Sequence, residues 1–320
     1  MNPVTTSYLE ASYLAACAMD VTALKPGNVS RYSPGHGMDA ELFIQSAQVS
    51  AKVIAKPGAV LGKRIYDAVN ATMTAVGCNT NLGIVLLCAP ILQAVIDYPG
   101  ERIDRALIKV LHGVGIDETN WVFSAICLAN PGGLGESDSN DVKGAATTSL
   151  VEVMAVAAGR DLIAQQYANG FRELRSVALP FLAAAVDRYG NEEAAVTDLF
   201  LYLLTRYNDS HIRRKHGLKC AMRVSRLAAN VYQQYRDAAD EDVRHGLLTE
   251  MDRLLKQKGI NPGTTADFCV AGVLIHRLQK AGDQHHRGYP ELSADNKANT
   301  GLNTANTLSQ QSEEIRYGSY

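Results

Sequence analysis

Leu9, Tyr13, Leu14, Cys17 and Val21 recur at steps of three and four residues, which sets them on one face of a helix. The same period recurs along the chain and predicts further helices over residues 40–55, 60–76, 82–96, 103–111, 120–128, 149–157, 170–188, 192–206, 218–238, 242–257 and 266–279. No stretch alternates apolar and polar residues between hairpin turns, so no strand is expected. The expected fold class is all-α. Pro and Gly punctuate the pattern at Lys25-Pro26-Gly27-Asn28, Ser33-Pro34-Gly35-His36-Gly37, Lys56-Pro57-Gly58, Asn130-Pro131-Gly132-Gly133-Leu134-Gly135 and Asn261-Pro262-Gly263. None of these reads as an interdomain linker, so residues 1–280 are expected to form one helical domain. Beyond Lys280 the chain turns to Gln, Asn, Ser and Thr, and residues 281–320 read as a polar, flexible tail.

Composition narrows the function. The chain has 320 residues, enough to bury a sizeable core. Lys and Arg number 31 against 33 Asp and Glu, and without the tail the two sets balance. No basic face is available for a nucleic acid or a membrane surface. The apolar run at 82–96 is shorter than the roughly 20 residues of a membrane span and contains Pro90 and Gln93, so it reads as a buried core helix. The N-terminus lacks the basic and apolar regions of a signal peptide, and a cytoplasmic location is expected. Six dispersed cysteines form no C-x-x-C pair, so neither a disulfide framework nor a zinc site is expected.

Unusual polar groups stand at the ends of the apolar helices. Asn79-Thr80-Asn81-Leu82-Gly83 precedes the apolar run Ile84-Val85-Leu86-Leu87. A cap there leaves backbone N–H groups open to an anion. One cap needs only one Asn, so a second points as readily to binding as to structure. Asn208-Asp209-Ser210-His211-Ile212-Arg213-Arg214-Lys215-His216 groups an acid, imidazoles and cations after an apolar helix. It suits either a metal with its polyphosphate or a solvated turn ending that helix. In Asn261-Pro262-Gly263-Thr264-Thr265-Ala266-Asp267, Pro-Gly makes a turn, a Thr caps the last helix and Asp267 complements its dipole. The same hydroxyls and carboxylate also describe a phosphate–Mg²⁺ site. The loop holding Gly132 and Gly133 is neither a Walker A loop nor a dinucleotide fingerprint. It allows close approach of backbone to ligand, with Asp141 nearby. His36 and Asp39 flank a flexible loop beside Lys25, and a lone histidine there reads as a surface residue.

In order and spacing these motifs resemble the triphosphoribosyl-dephospho-CoA synthases over roughly residues 7–280. The resemblance rests on Lys25-Pro26-Gly27-Asn28-Val29, Asn79-Thr80-Asn81-Leu82-Gly83, the glycine loop ending at Asp141, Asn208-Asp209-Ser210-His211 and residues 261–267. It implies an all-α transferase that makes a prosthetic-group precursor for citrate and malonate lyase systems from ATP and dephospho-CoA. ATP would be attacked at the anomeric carbon of its ribose, adenine would leave, and the triphosphate would stay attached. On this resemblance Asp209 and Asp267 are expected at a Mg²⁺ ion, Asp209 also in catalysis, and Thr264 and Thr265 on phosphate. Lys25 and Lys215 would neutralise phosphate charge. Asp141 would activate the acceptor or stabilise the cationic ring, His211 would move a proton, and Asn79 and Asn81 would bond ribose or base.

Two departures stand out. The best-known members carry His-Lys where this chain has Asn81-Leu82, and an Arg-Gly-Glu-rich segment where it has Gly132-Gly133-Leu134-Gly135. In this the chain is similar to an archaeal and methylotroph branch. A second expectation is therefore ribosyl or phosphoribosyl transfer to another hydroxyl, such as the ribitol side chain of a methanopterin precursor, with ATP or phosphoribosyl pyrophosphate as donor. A third is a non-catalytic nucleotide-binding protein. A homodimer is one assembly left open.

Overall fold

The computed structural model describes residues 5–132 and 142–287, with the backbone alone for 281–287. Among these residues the architecture is helical throughout, and the only β contacts are isolated bridges at Ser30–Ser33 and Gly35–Met38. The helices are α1 (Thr6–Thr22), α2 (Ala40–Ile54), α3 (Leu61–Val76), α4 (Leu82–Asp97), α5 (Ile103–His112), α6 (Ile116–Ala129) and α7 (Leu150–Ala157). They continue with α8 (Leu162–Asn169), α9 (Leu179–Tyr189), α10 (Glu192–Arg206), α11 (Ser210–His216), α12 (Leu218–Asp237), α13 (Glu241–Gln257) and α14 (Gly263–Arg287). No described helix is long and apolar enough to cross a membrane.

Two helices organise the core. In α4 every residue from Leu82 to Ala94 except Gly83 is buried, and the helix packs against α3, α5 and α14. The other organiser, α14, also lies against α1, α9 and α10. It runs antiparallel to α1, because Tyr8 Oη donates to the Arg277 carbonyl at 3.0 Å while Asp20, at the far end of α1, faces the start of α14. Pro90 stands inside α4 and has no N–H, which leaves the Leu86 carbonyl without its helical donor. Tyr167 on α8 supplies the replacement, its buried hydroxyl donating to that carbonyl at 2.6 Å. A proline thus creates the acceptor on which a second helix docks.

Three expectations need correction. The single helix read over 170–188 is interrupted, with a π-helical segment at Leu174–Ala178 leading into α9. Pro180 would collide with the carbonyl one turn back in a regular helix, and the wider turn relieves that collision. Helix α8 is too short to show a period of its own; Asp161 caps its start and Gly170 ends it at φ 70°. The segment for which a solvated turn was one of two readings is a helix in its own right, α11, with Asp209 at its N-cap. Finally, the helix read over 266–279 is longer: α14 starts at Gly263, so Thr264 and Thr265 lie inside its first turn, and it extends to Arg287.

Candidate active site

Helices α4, α8 and α14 begin around one cavity of about 640 Å³; α1, α6 and α7 end on it and α11 crosses it. Part of its wall is apolar, with Leu82, Leu86, Phe123, Ile126, Met154 and Ile163. The rest carries charge and hydrogen-bonding groups, and these fall into three sets.

The first set is a pair of carboxylates. Asp20 ends the buried stripe of α1, and Asp267 projects from α14 over the start of α4. The approach is close: a Cβ on Gly83 would collide with Asp267 Oδ2, so a larger residue there would displace that carboxyl. Burial, together with the charges of Asp20 and Asp209, pushes the Asp267 carboxyl well above the usual range. Asp20 Oδ1 is buried without a hydrogen-bond donor and is compensated by Lys25 Nζ at 3.1 Å. Lys25 also bonds the Asp20 carbonyl.

The second set is cationic. Arg213, Arg214 and Lys215 come from the last turns of α11, and Arg160 from the turn before α8. Arg214 Nη1 is held by Asp161 Oδ2 at 2.8 Å, while Asp161 Oδ1 caps α8 at Ile163 and Ala164. Arg213 Nη1 donates to the Gly159 carbonyl at 2.9 Å. Lys215 lies along the glycine loop, its Cε 3.2 Å from where a Cβ on Gly132 would stand. Lys215 and Arg160 are exposed and form no ion pair among the described residues. Four cations beside two carboxylates make a site for a polyanion carrying a cation.

The third set is neutral. His211 packs over Gly263, and its Nε2 is buried without a partner. Burial and then the Arg214 and Lys215 charges lower its pKa to about 3, so at neutral pH the ring is uncharged. His36, expected on the surface, lines the cavity and bonds the Gly27 carbonyl at 2.9 Å. The turns at 25–28 and 261–263 interlock here. Gly27 adopts φ 84°, and a Cβ on it would meet Pro262 Cδ at 2.8 Å. Asn28 Nδ2 donates to Asn261 Oδ1 at 3.0 Å across the two turns.

Asn79, Gly132, His211, Lys215, Thr264 and Asp267, all expected at the site, line this one cavity. Four others stand behind it. Lys25 is fully buried on Asp20 and does not line the cavity. Asn81 donates to Ser50 Oγ at 3.3 Å, and it is Asn79 Oδ1 that accepts from Leu82 N at 3.1 Å. Asp209 is occupied: Oδ1 accepts from Ile212 N at 2.9 Å, and Oδ2 accepts from Thr265 N at 2.7 Å and Thr265 Oγ1 at 2.8 Å. Fully buried and with both oxygens committed, Asp209 joins α11 to α14 and is not placed to ligate an ion; Thr265 is its partner. Thr264 Oγ1 accepts from His211 N at 3.1 Å. Gly133 and Asp141 lie outside the described residues.

Sequence reasoning missed Asp20, Arg160 and Asp161. Asp20 had a signal, an acid in register with the buried stripe Leu9, Tyr13, Ala16 and Cys17. Arg160 and Asp161 had none, because the helix they introduce was itself hidden.

The model of the ATP:dephospho-CoA triphosphoribosyl transferase family matches residues 6–285. Among solved structures, a chain from Archaeoglobus fulgidus assigned as a triphosphoribosyl-dephospho-CoA synthase superposes with a TM-score of 0.54 at 21% identity. The match covers 74% of this chain and 96% of that one, and at that identity it bears on the fold alone. A comparison with curated proteins finds no match.

Proposed function

Because the chain belongs to the ATP:dephospho-CoA triphosphoribosyl transferase family, we propose that this cavity binds ATP and passes its triphosphoribosyl group to a hydroxyl of dephospho-CoA. One observation carries the reading: a single cavity joins four cations, a buried carboxylate pair and an uncharged histidine. Triphosphate lies against Arg160, Arg213, Arg214 and Lys215, where its charge is met by groups the fold already holds. The anomeric carbon faces Asp20 and Asp267.

The transfer forms a bond from the acceptor oxygen to the anomeric carbon and breaks the bond from that carbon to adenine. The proton lost by the hydroxyl is balanced by the one adenine gains. The ring carries positive charge as the bonds exchange, and the carboxylates, unfavourable in the free site, are stabilised by that charge. His211, uncharged and with Nε2 unpaired, is an acceptor for the hydroxyl proton. Magnesium would arrive with the nucleotide and supply neutralisation of its phosphates. Asp20 and Asp267 are the oxygen donors that fit it, since Mg²⁺ commonly takes one or two carboxylates together with substrate phosphates.

A different acceptor is the second reading, and Leu82 favours it. The better-known members carry lysine at that position, whereas here an apolar side chain lines the cavity. One assay separates the two. Free adenine and product mass are measured with ATP, Mg²⁺ and each acceptor. Adenine release that needs dephospho-CoA, with a product heavier by the triphosphoribosyl group, supports the main reading. Release only with another hydroxyl supports the second, and no release with any acceptor contradicts both.

A further inference from the structure

The interlocked turns leave two amide atoms with no work inside the protein. Asn28 is 4% exposed, and its Oδ1 is buried without a hydrogen-bond partner. Its Nδ2 is spent on Asn261 Oδ1, and the Asn261 amide nitrogen donates to no acceptor among the described residues. Both residues line the cavity. Coupled in this way, the two amides offer it an acceptor from Asn28 and a donor from Asn261, side by side. A buried carbonyl oxygen left bare costs stability that a folded chain ordinarily avoids. Here the fold keeps it unpaired on a residue of the cavity wall.

The surroundings restrict what can fill this corner. His211, which packs over Gly263, is uncharged, and the cations stand on α11 and beside α8. A phosphate would gain nothing from Asn28 Oδ1, which offers only an acceptor. A planar neutral group with a donor beside an acceptor would satisfy both amides at once. The amino-bearing edge of adenine has that pattern, and asparagine amides pair with it in nucleic-acid recognition. We propose that Asn28 and Asn261 together form a 6-aminopurine subsite, with Asn28 Oδ1 accepting from the exocyclic amino group and the Asn261 amide donating to a ring nitrogen. The inference rests on the reading of the cavity as a nucleotide site. It adds base specificity, and in the donor position it also adds a hydrogen bond to the leaving group as adenine departs.

Both ATP and dephospho-CoA carry this edge, so the test has two arms. Calorimetry compares ATP with inosine triphosphate, and dephospho-CoA with its 6-oxo analogue, on the full chain. Replacing the amino group by an oxygen sets acceptor against acceptor, and a loss of about tenfold to a hundredfold in affinity is expected in the arm whose purine occupies the subsite. Asn28→Ala removes that preference in the same arm, while competition by inorganic tripolyphosphate is unchanged. A melting temperature equal to the parent's, together with the unchanged tripolyphosphate competition, guards against simple misfolding of the alanine variant. Equal binding of the amino and oxo ligands by the parent in both arms overturns the subsite, as does a preference that survives Asn28→Ala. Because binding is read without turnover, discrimination without adenine release would sink the transfer reaction and leave the subsite standing. Absence of any nucleotide binding would sink both.

Discussion

At the scale of single residues, burial sets the charge state of two groups at the site. His211 is the clearest case. The unfolded chain takes up its proton near pH 6.5, whereas the folded chain resists until about 3. Stability contributed by the neutral ring is therefore complete above pH 6.5 and is lost as the pH falls from there toward 3. An imidazole titration by NMR is expected to show no inflection for His211 between pH 5 and 8. Tripolyphosphate, by offsetting Arg214 and Lys215, is expected to move the inflection upward. An ordinary midpoint near 6.5 in the free protein would contradict this.

Asp267 is strained in the opposite sense, since burial beside Asp20 and Asp209 favours its protonated form. Its unfolded carboxyl ionises first as the pH rises, so the ionised form weighs against folding at neutral pH. Asp267→Asn keeps the shape and removes the charge. A melting temperature higher by about 2 to 4 °C at pH 7 is expected for relief worth roughly 1 kcal/mol, with turnover lost. A variant that melts lower and keeps its turnover would show that the carboxylate serves the fold and not the reaction.

At the scale of helices, the sequence pattern was legible wherever an element was long and one-sided. The period read over 192–206 is α10 residue for residue, and those for α3, α4, α7 and α12 agree within a residue or two at each end. It failed where tertiary contacts define an element. Helix α8 exists because Asp161 caps it and Tyr167 finds the carbonyl that Pro90 frees, and neither event leaves a periodic trace. Tyr167→Phe leaves the Leu86 carbonyl bare and is expected to cost about 1 to 3 kcal/mol in denaturant unfolding. An unchanged midpoint would mean that α8 is held by packing alone. Candidate chemistry followed the same rule. Motifs flanking long helices brought Asn79, Lys215, Thr264 and Asp267 to the cavity. By contrast, the reading of Lys25 and Asp209 as ligands mistook strongly polar residue types for exposed ones. Both are buried because their charges are matched internally, Lys25 by Asp20 and Asp209 by Thr265 and the N-terminus of α11.

At the scale of the molecule, one cavity collects the ends of helices distant in sequence, so its charge is organised by the whole fold. The acids belong to α1 and α14 and the cations to α11 and the turn before α8. Asp209, tying α11 to α14, keeps the two sets in register. On the proposed reading these cations, Arg160 and Lys215 the most exposed of them, grip a nucleoside triphosphate. This is tested by the calorimetric affinity for Mg-ATP of the parent and of the double variant Arg160→Ala, Lys215→Ala, whose side chains form no ion pair with another described residue. Affinity weaker by about tenfold to a hundredfold, at an unchanged melting temperature, is the predicted result for loss of two charge-assisted contacts. Equal affinity in the two proteins would contradict it and place the triphosphate elsewhere.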